Sequence, residues 1–176
     1  MPTPSHEIEI IAHHESAHHI AAYLLDAKLG DISISERKSG YELEPDYMKR
    51  AIVYMAGGEI EELKSYNAFD MIARIGADYQ RARECAIAAG FTSEQSIGDF
   101  IEQAIEGANE IVLRNIDLIN DYAKVLIGRD SMNGTQANET ILTLATEEEL
   151  KAAKQHAKEE LERQRQLAEQ YRPKPE

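Results

Sequence analysis

The sequence predicts a mainly α-helical domain with one small β-hairpin, followed by a charged helix at the C-terminus. Three observations predict it. Apolar residues recur at spacings of three and four over most of the chain. Helix-capping signatures stand ahead of two of those stretches. Strict apolar–polar alternation is confined to one short run, Ile32-Ser33-Ile34-Ser35. With 176 residues, 43% of them apolar and 29% charged, the chain is long enough for a core and apolar enough to fold.

The elements follow in order. Thr3-Pro4 can open the first helix, because a proline there lacks an N–H that would have no helical partner. That helix is expected to run through Leu24 and Leu25 and to end near Gly30. A hairpin follows, with Ile32 to Glu36 as one strand, Lys38-Ser39-Gly40 as the turn, and Tyr41 and Leu43 alternating on the return. Pro45-Asp46 restarts helix, and Met48 to Leu63 is apolar at helical spacing despite Gly57-Gly58. A segment around Phe69 to Ile75 leads into Gly76. Asp78 to Ala89 then reads as a helix ended by Gly90. Thr92-Ser93-Glu94-Gln95 caps one long helix, whose stripe runs from Ile101 through Ala108, Val112, Ile116 and Ala123 to Leu126. Asn133-Gly134 marks a turn before a short element over Thr140 to Leu144.

The tail differs in kind. Residues 1–145 read as one domain and residues 146–176 as a charged helical extension, opened by the capping box Thr146-Glu147-Glu148-Glu149. Its apolar stripe is thin (Leu150, Ala153, Ala157, Leu161, Ala168, Tyr171), so a solvated helix is expected, ended by Pro173.

Charge narrows the function. There are 32 acidic and 19 basic residues, a formal net charge of -13, and nearly all of the excess lies ahead of residue 147. Nucleic acid and anionic membrane surfaces both call for a basic face, so neither is an expected partner. A single cysteine, Cys85, excludes an intrachain disulfide and a cysteine-built zinc site, and it reads as a small core residue. No apolar run approaches the ~20 residues of a membrane span. The N-terminus lacks the basic and apolar regions of a signal peptide. The expectation is a soluble, cytoplasmic protein.

The chemistry lies in the first helix. His14-Glu15-Ser16-Ala17-His18 is an H-E-x-x-H pattern. Residues four apart share a helix face, so the two imidazoles can hold one metal ion. With a third ligand they would leave a fourth position for water, as catalytic zinc requires. Zinc lowers the pKa of that water to about 7. Glu15, beside the first ligand, is placed to take the water's proton and return it to the leaving amine. His13 and His19 point elsewhere on the helix and fit either surface histidines or a structural His-rich stretch, while His6 and His156 read as surface residues.

A third ligand must come from a distant carboxylate, since no third histidine stands at the short spacing of three-histidine proteases. Two regions compete. Gly57-Gly58-Glu59-Ile60-Glu61-Glu62 ends a helix whose glycines permit close approach to the first. Gly76-Ala77-Asp78 places a carboxylate at a helix start. Each has an ordinary reading as well, Asp78 as an N-cap and Glu61 and Glu62 as solvated charges.

From residue 6 to about 143 the motifs resemble, in order, the peptidase domain of FtsH-type ATP-dependent zinc metalloproteases. The histidine helix corresponds to that family's H-E-A-G-H. Met55-Ala56-Gly57-Gly58-Glu59-Ile60-Glu61-Glu62 is similar to its G-G-R-x-A-E-E signature, and Gly76-Ala77-Asp78-Tyr79-Gln80-Arg81-Ala82 to its aspartate segment with two residues deleted. The chain departs in having Glu59 for the family's arginine and Glu36-Arg37-Lys38-Ser39-Gly40 for its Pro-Arg-Gly.

The resemblance implies one zinc ion per chain held by His14, His18 and Asp78. It implies Glu15 as catalytic base and acid, and Glu62 as a second carboxylate orienting a histidine. It further implies that the strand carrying Ile32, Ser33, Ile34 and Ser35 is the edge on which an extended or unfolded peptide is laid. The sequence holds no Walker loop or AAA module, so an ATPase would act in trans. The family's ring assembly implies a homo-oligomer. The competing expectation is a peptidase-like scaffold without catalysis that binds metal or protein.

Overall fold

A computed structural model describes residues 5–64 and 68–173, and for residues 68–75 the backbone alone. Seven helices and a three-stranded antiparallel sheet follow one another along these residues, so the mainly α reading with a small β-hairpin holds. The expected opening at Thr3-Pro4 lies outside the described residues.

Helix α1 (His6–Leu24) starts at Ser5, whose hydroxyl accepts from the Ile8 N–H, and from Ile10 onward it is buried on almost every side. It ends about six residues earlier than expected, and Gly30 lies inside β1 (Lys28–Ser33). The hairpin turn is Ile34 to Arg37, with Arg37 at φ 49°, and Lys38-Ser39-Gly40 belongs to β2 (Lys38–Glu42) rather than to the turn. An irregularity in pairing between Leu29 and Ile32 shifts the register, which a reading of pure alternation does not anticipate.

Helix α2 (Tyr47–Leu63) is capped by Asp46 and packs against α1. Helix α3 (Ala68–Ala88) begins ten residues before Asp78, which therefore sits in mid-helix and is no N-cap. Gly90, at φ 93°, ends the run in the left-handed conformation that suits a glycine after a helix. The single long helix expected next is two. α4 (Glu94–Arg114), capped by Ser93 with Ser96, ends at Asn115, and α5 (Ile116–Arg129) begins at once. The Asn115 side chain donates to the Ile111 carbonyl, so it takes up a backbone acceptor of the α4 end.

A short β3 (Ser131–Met132) precedes α6 (Gly134–Leu144), which Asn133 caps with Gln136. The sheet order is β2-β1-β3.

Helix α7 (Glu147–Glu169) opens with the expected Thr146–Glu149 capping box but is not a solvated extension. Leu150, Ala157, Leu161 and Ala168 are buried, and α7 lies along α4. Gly107 of α4 is the reason they fit, since a Cβ there would stand 2.8 Å from Ile52 Cδ1 and 3.1 Å from Gln164 Cγ. Lys154 and Lys158 pair with Asp26, and Arg165 pairs with Asp46.

Candidate metal centre

Three helices meet around two imidazoles. α1 carries His14 and His18 one turn apart, α2 crosses them, and α3 brings Asp78. All three side chains are buried. His14 Nε2 and His18 Nε2 are 3.0 Å apart, and Asp78 Oδ2 lies 3.2 Å from the first and 3.3 Å from the second. Four ligands in a tetrahedron around zinc at about 2.0 Å stand about 3.3 Å from one another. The triangle therefore has the size of one face of a zinc site. Among the described residues, this is the group of histidine and carboxylate ligand atoms that could hold a metal ion.

The outer hydrogen bonds say which atoms carry protons. His18 Nδ1 lies 2.7 Å from the Val53 carbonyl oxygen, which can only accept, so Nδ1–H donates and Nε2 presents a lone pair. His14 Nδ1 stands 2.7 Å from Glu61 Oε1, which fixes the same tautomer. Two imidazole lone pairs and a carboxylate oxygen thus converge within 3.3 Å in a buried place. Such a set is stable only around a cation or a shared proton.

The electrostatics agree. Burial works to lower the His14 pKa, but its bonds to Asp78 and Glu61 outweigh this and raise it to about 9. Burial works to raise Asp78, and the two histidines overcome it and hold the carboxyl well below the usual carboxylate range. Asp78 Oδ1 also accepts from Arg81 Nη1 at 3.4 Å.

Gly57 makes the crossing possible. A Cβ at that position would stand 2.6 Å from both His14 Cε1 and His18 Nε2, so only a glycine lets α2 pass this close. Val53, Gly57 and Glu61 are four apart and form one ridge of α2 against the histidines. That ridge corrects the expectation for Glu62, which is exposed; Glu61, fully buried, is the carboxylate on His14. Counting by fours from Gly57 was the signal in the sequence that points to Glu61.

Glu15 is buried beside the cluster and lines the same cleft as His14, His18 and Asp78, a space of about 270 Å³. The rest of the wall includes Arg37, Lys38, Ser39 and Tyr41 of the hairpin and Arg81 of α3.

The strand expectation needs correcting. Ile32 and Ser33 lie in β1, the central strand, paired with Ser39 and Lys38 on one side and with Met132 and Ser131 on the other. Ile34 and Ser35 lie in the turn, where the Ile34 N–H donates to the Asp130 carbonyl and the Ser35 hydroxyl to the Asp130 carboxylate. None of the four offers an open edge toward the cleft. Among the described residues β2 is an edge strand, with β1 on one side, and its Lys38, Ser39 and Tyr41 line the cleft.

Of the two readings open for His19, the structural one holds. His19 is fully buried, with Nδ1 2.8 Å from the Tyr122 hydroxyl and Nε2 3.1 Å from the Gly40 carbonyl oxygen, so it ties β2 to α1. Burial lowers its pKa to about 4 and keeps it neutral. Cys85 is buried as expected. No helix among the described residues is long and apolar enough to cross a membrane.

A scan against protein-family models finds no match to this chain, and a search of curated proteins finds none either.

Proposed function

We propose that the chain is a zinc-dependent metalloendopeptidase of the FtsH-like type, acting on extended or unfolded peptide presented by an ATPase. One observation carries this reading: three buried lone-pair donors from two histidines and an aspartate meet within 3.3 Å, with a glutamate on the same cleft. Two imidazoles, one carboxylate and no thiolate form a donor set that suits zinc.

Bound zinc would supply a Lewis acid that acidifies a water and polarises the scissile carbonyl. His14, His18 and Asp78 would hold it, and Glu61 and the Val53 carbonyl would keep both rings in the ligating tautomer. Glu15 accepts a proton from the attacking water as the new oxygen–carbon bond forms and the carbonyl π pair moves onto oxygen. When the carbonyl re-forms, the carbon–nitrogen bond breaks, and Glu15 returns the proton to the departing nitrogen. The free edge of β2 supports an extended substrate, because a peptide laid along it would gain main-chain hydrogen bonds beside the cleft.

The test compares the wild type with Glu15→Gln. Protein purified without an affinity tag should carry about one zinc per chain. Glu15→Gln should keep the zinc and lose cleavage of a quenched-fluorescence casein substrate by about 10²- to 10⁴-fold. Equal cleavage by the variant contradicts the mechanism. Zinc binding without cleavage by the wild type identifies a metal- or protein-binding scaffold instead.

A further inference from the structure

We propose that Tyr41 is a further catalytic residue, whose hydroxyl donates a hydrogen bond to the scissile carbonyl oxygen as that oxygen becomes negative. This deepens the peptidase reading and rests on it. Ser39 and Tyr41 are two apart on β2 and face the same side, and both line the cleft with Glu15 and Asp78.

The cationic side chains of the cleft wall each have a carboxylate partner. Arg37 pairs with Glu7, Lys38 with Glu36, and Arg81 with Asp78. The Tyr41 hydroxyl, by contrast, makes no hydrogen bond among the described residues while its ring is braced against Tyr54, with centroids 6.5 Å apart. The backbone beneath it is held as well, because the neighbouring Gly40 carbonyl accepts from His19 of α1, the residue after a proposed ligand. A donor fixed before substrate arrives needs no reorganisation as charge develops, which is the condition for electrostatic stabilisation of an oxyanion.

Tyr41→Phe removes the hydroxyl and keeps the ring, so zinc content and melting temperature should match the wild type. Turnover of a quenched peptide should fall about 10- to 100-fold in kcat, with KM within about twofold. A second readout needs no turnover. Calorimetry on the zinc-loaded proteins should show a phosphinic analogue of an alanine-rich hexapeptide, which mimics the tetrahedral carbon, binding about 10- to 100-fold more weakly to Tyr41→Phe.

Equal phosphinate affinity in the two proteins overturns the role of Tyr41, whatever the turnover. A wild type that cleaves nothing but binds phosphinate through Tyr41 overturns the peptidase reading and leaves the donor in place. A zinc-loaded wild type that binds no phosphinate overturns both.

Discussion

Helices α1 and α7 both bury polar side chains, and they do so to opposite ends. In α7, Glu160 and Gln164 are buried, and Glu160 accepts from Gln164 at 2.6 Å and from Arg163 at 2.8 and 3.0 Å. The charges of this set are matched within one helix, although the buried Gln164 Oε1 has no partner among the described residues. In α1, His14 and His18 are also four apart, yet their outer nitrogens are spent on α2 and their inner ones converge with Asp78 of α3. A buried polar set whose carboxylate meets its donors on the same helix is packing. One whose remaining atoms are all acceptors is built for a positive charge.

The largest expected effect separates the two directly. His14→Ala should take zinc from about one ion per chain to none after gel filtration, read by metal analysis. Retention of zinc by that variant would erase the distinction. Next in size, Leu161→Ala in the α7 seam should lower stability by about 2–5 kcal/mol in denaturant unfolding. Its zinc stoichiometry should be unchanged, because the seam carries no ligand. Smaller again is Glu61→Gln, which leaves the ligands in place but weakens the carboxylate on His14. Zinc affinity should fall about 10- to 100-fold by competition with a chelator, while Glu62→Gln should match the wild type. The reverse result would restore Glu62 to the role expected of it.

The smallest effect concerns Glu59, a buried carboxyl of α2 that belongs to neither set. Burial foremost, and then the charge of Glu62, pushes its pKa up to about 7. A raised carboxyl favours the folded state while protonated, so that contribution is complete in acid and is lost as pH rises through about 7. The melting temperature should therefore fall by a few degrees between about pH 5.5 and pH 8, and Glu59→Gln should flatten this part of the slope. An unchanged slope in the variant would show that Glu59 does not titrate in that range.

What could be read in advance follows the range of each interaction. His14, Glu15 and His18 are legible because a turn of helix fixes their relation whatever surrounds them. Asp78 is legible through the order of motifs, but its place in mid-helix is not, because Gly76 just ahead of it reads as an interruption of the helical run. Glu61 and Glu62 are hard to tell apart in the sequence because the choice depends on which face of α2 crosses α1, and only the ridge of Val53, Gly57 and Glu61 encodes that face. The break at Asn115 is hidden because Val112, Ile116 and Ile119 keep helical spacing across it. The burial of α7 depends on its close approach to Gly107 of α4, far away in the sequence, so its thin stripe alone reads as a solvated face. The strands suffered most, because alternation at Ile32 to Ser35 says nothing of the irregular pairing at Leu29 or of β3 arriving on the far side.

X-ray absorption at the zinc edge of the zinc-loaded protein goes straight to the ion the three helices were read to enclose. The account predicts four light-atom neighbours at about 2.0–2.1 Å with the multiple-scattering signature of two imidazoles, one of which disappears in His18→Ala. A six-oxygen shell without imidazole scattering, or a spectrum that His18→Ala leaves unaltered, would contradict it.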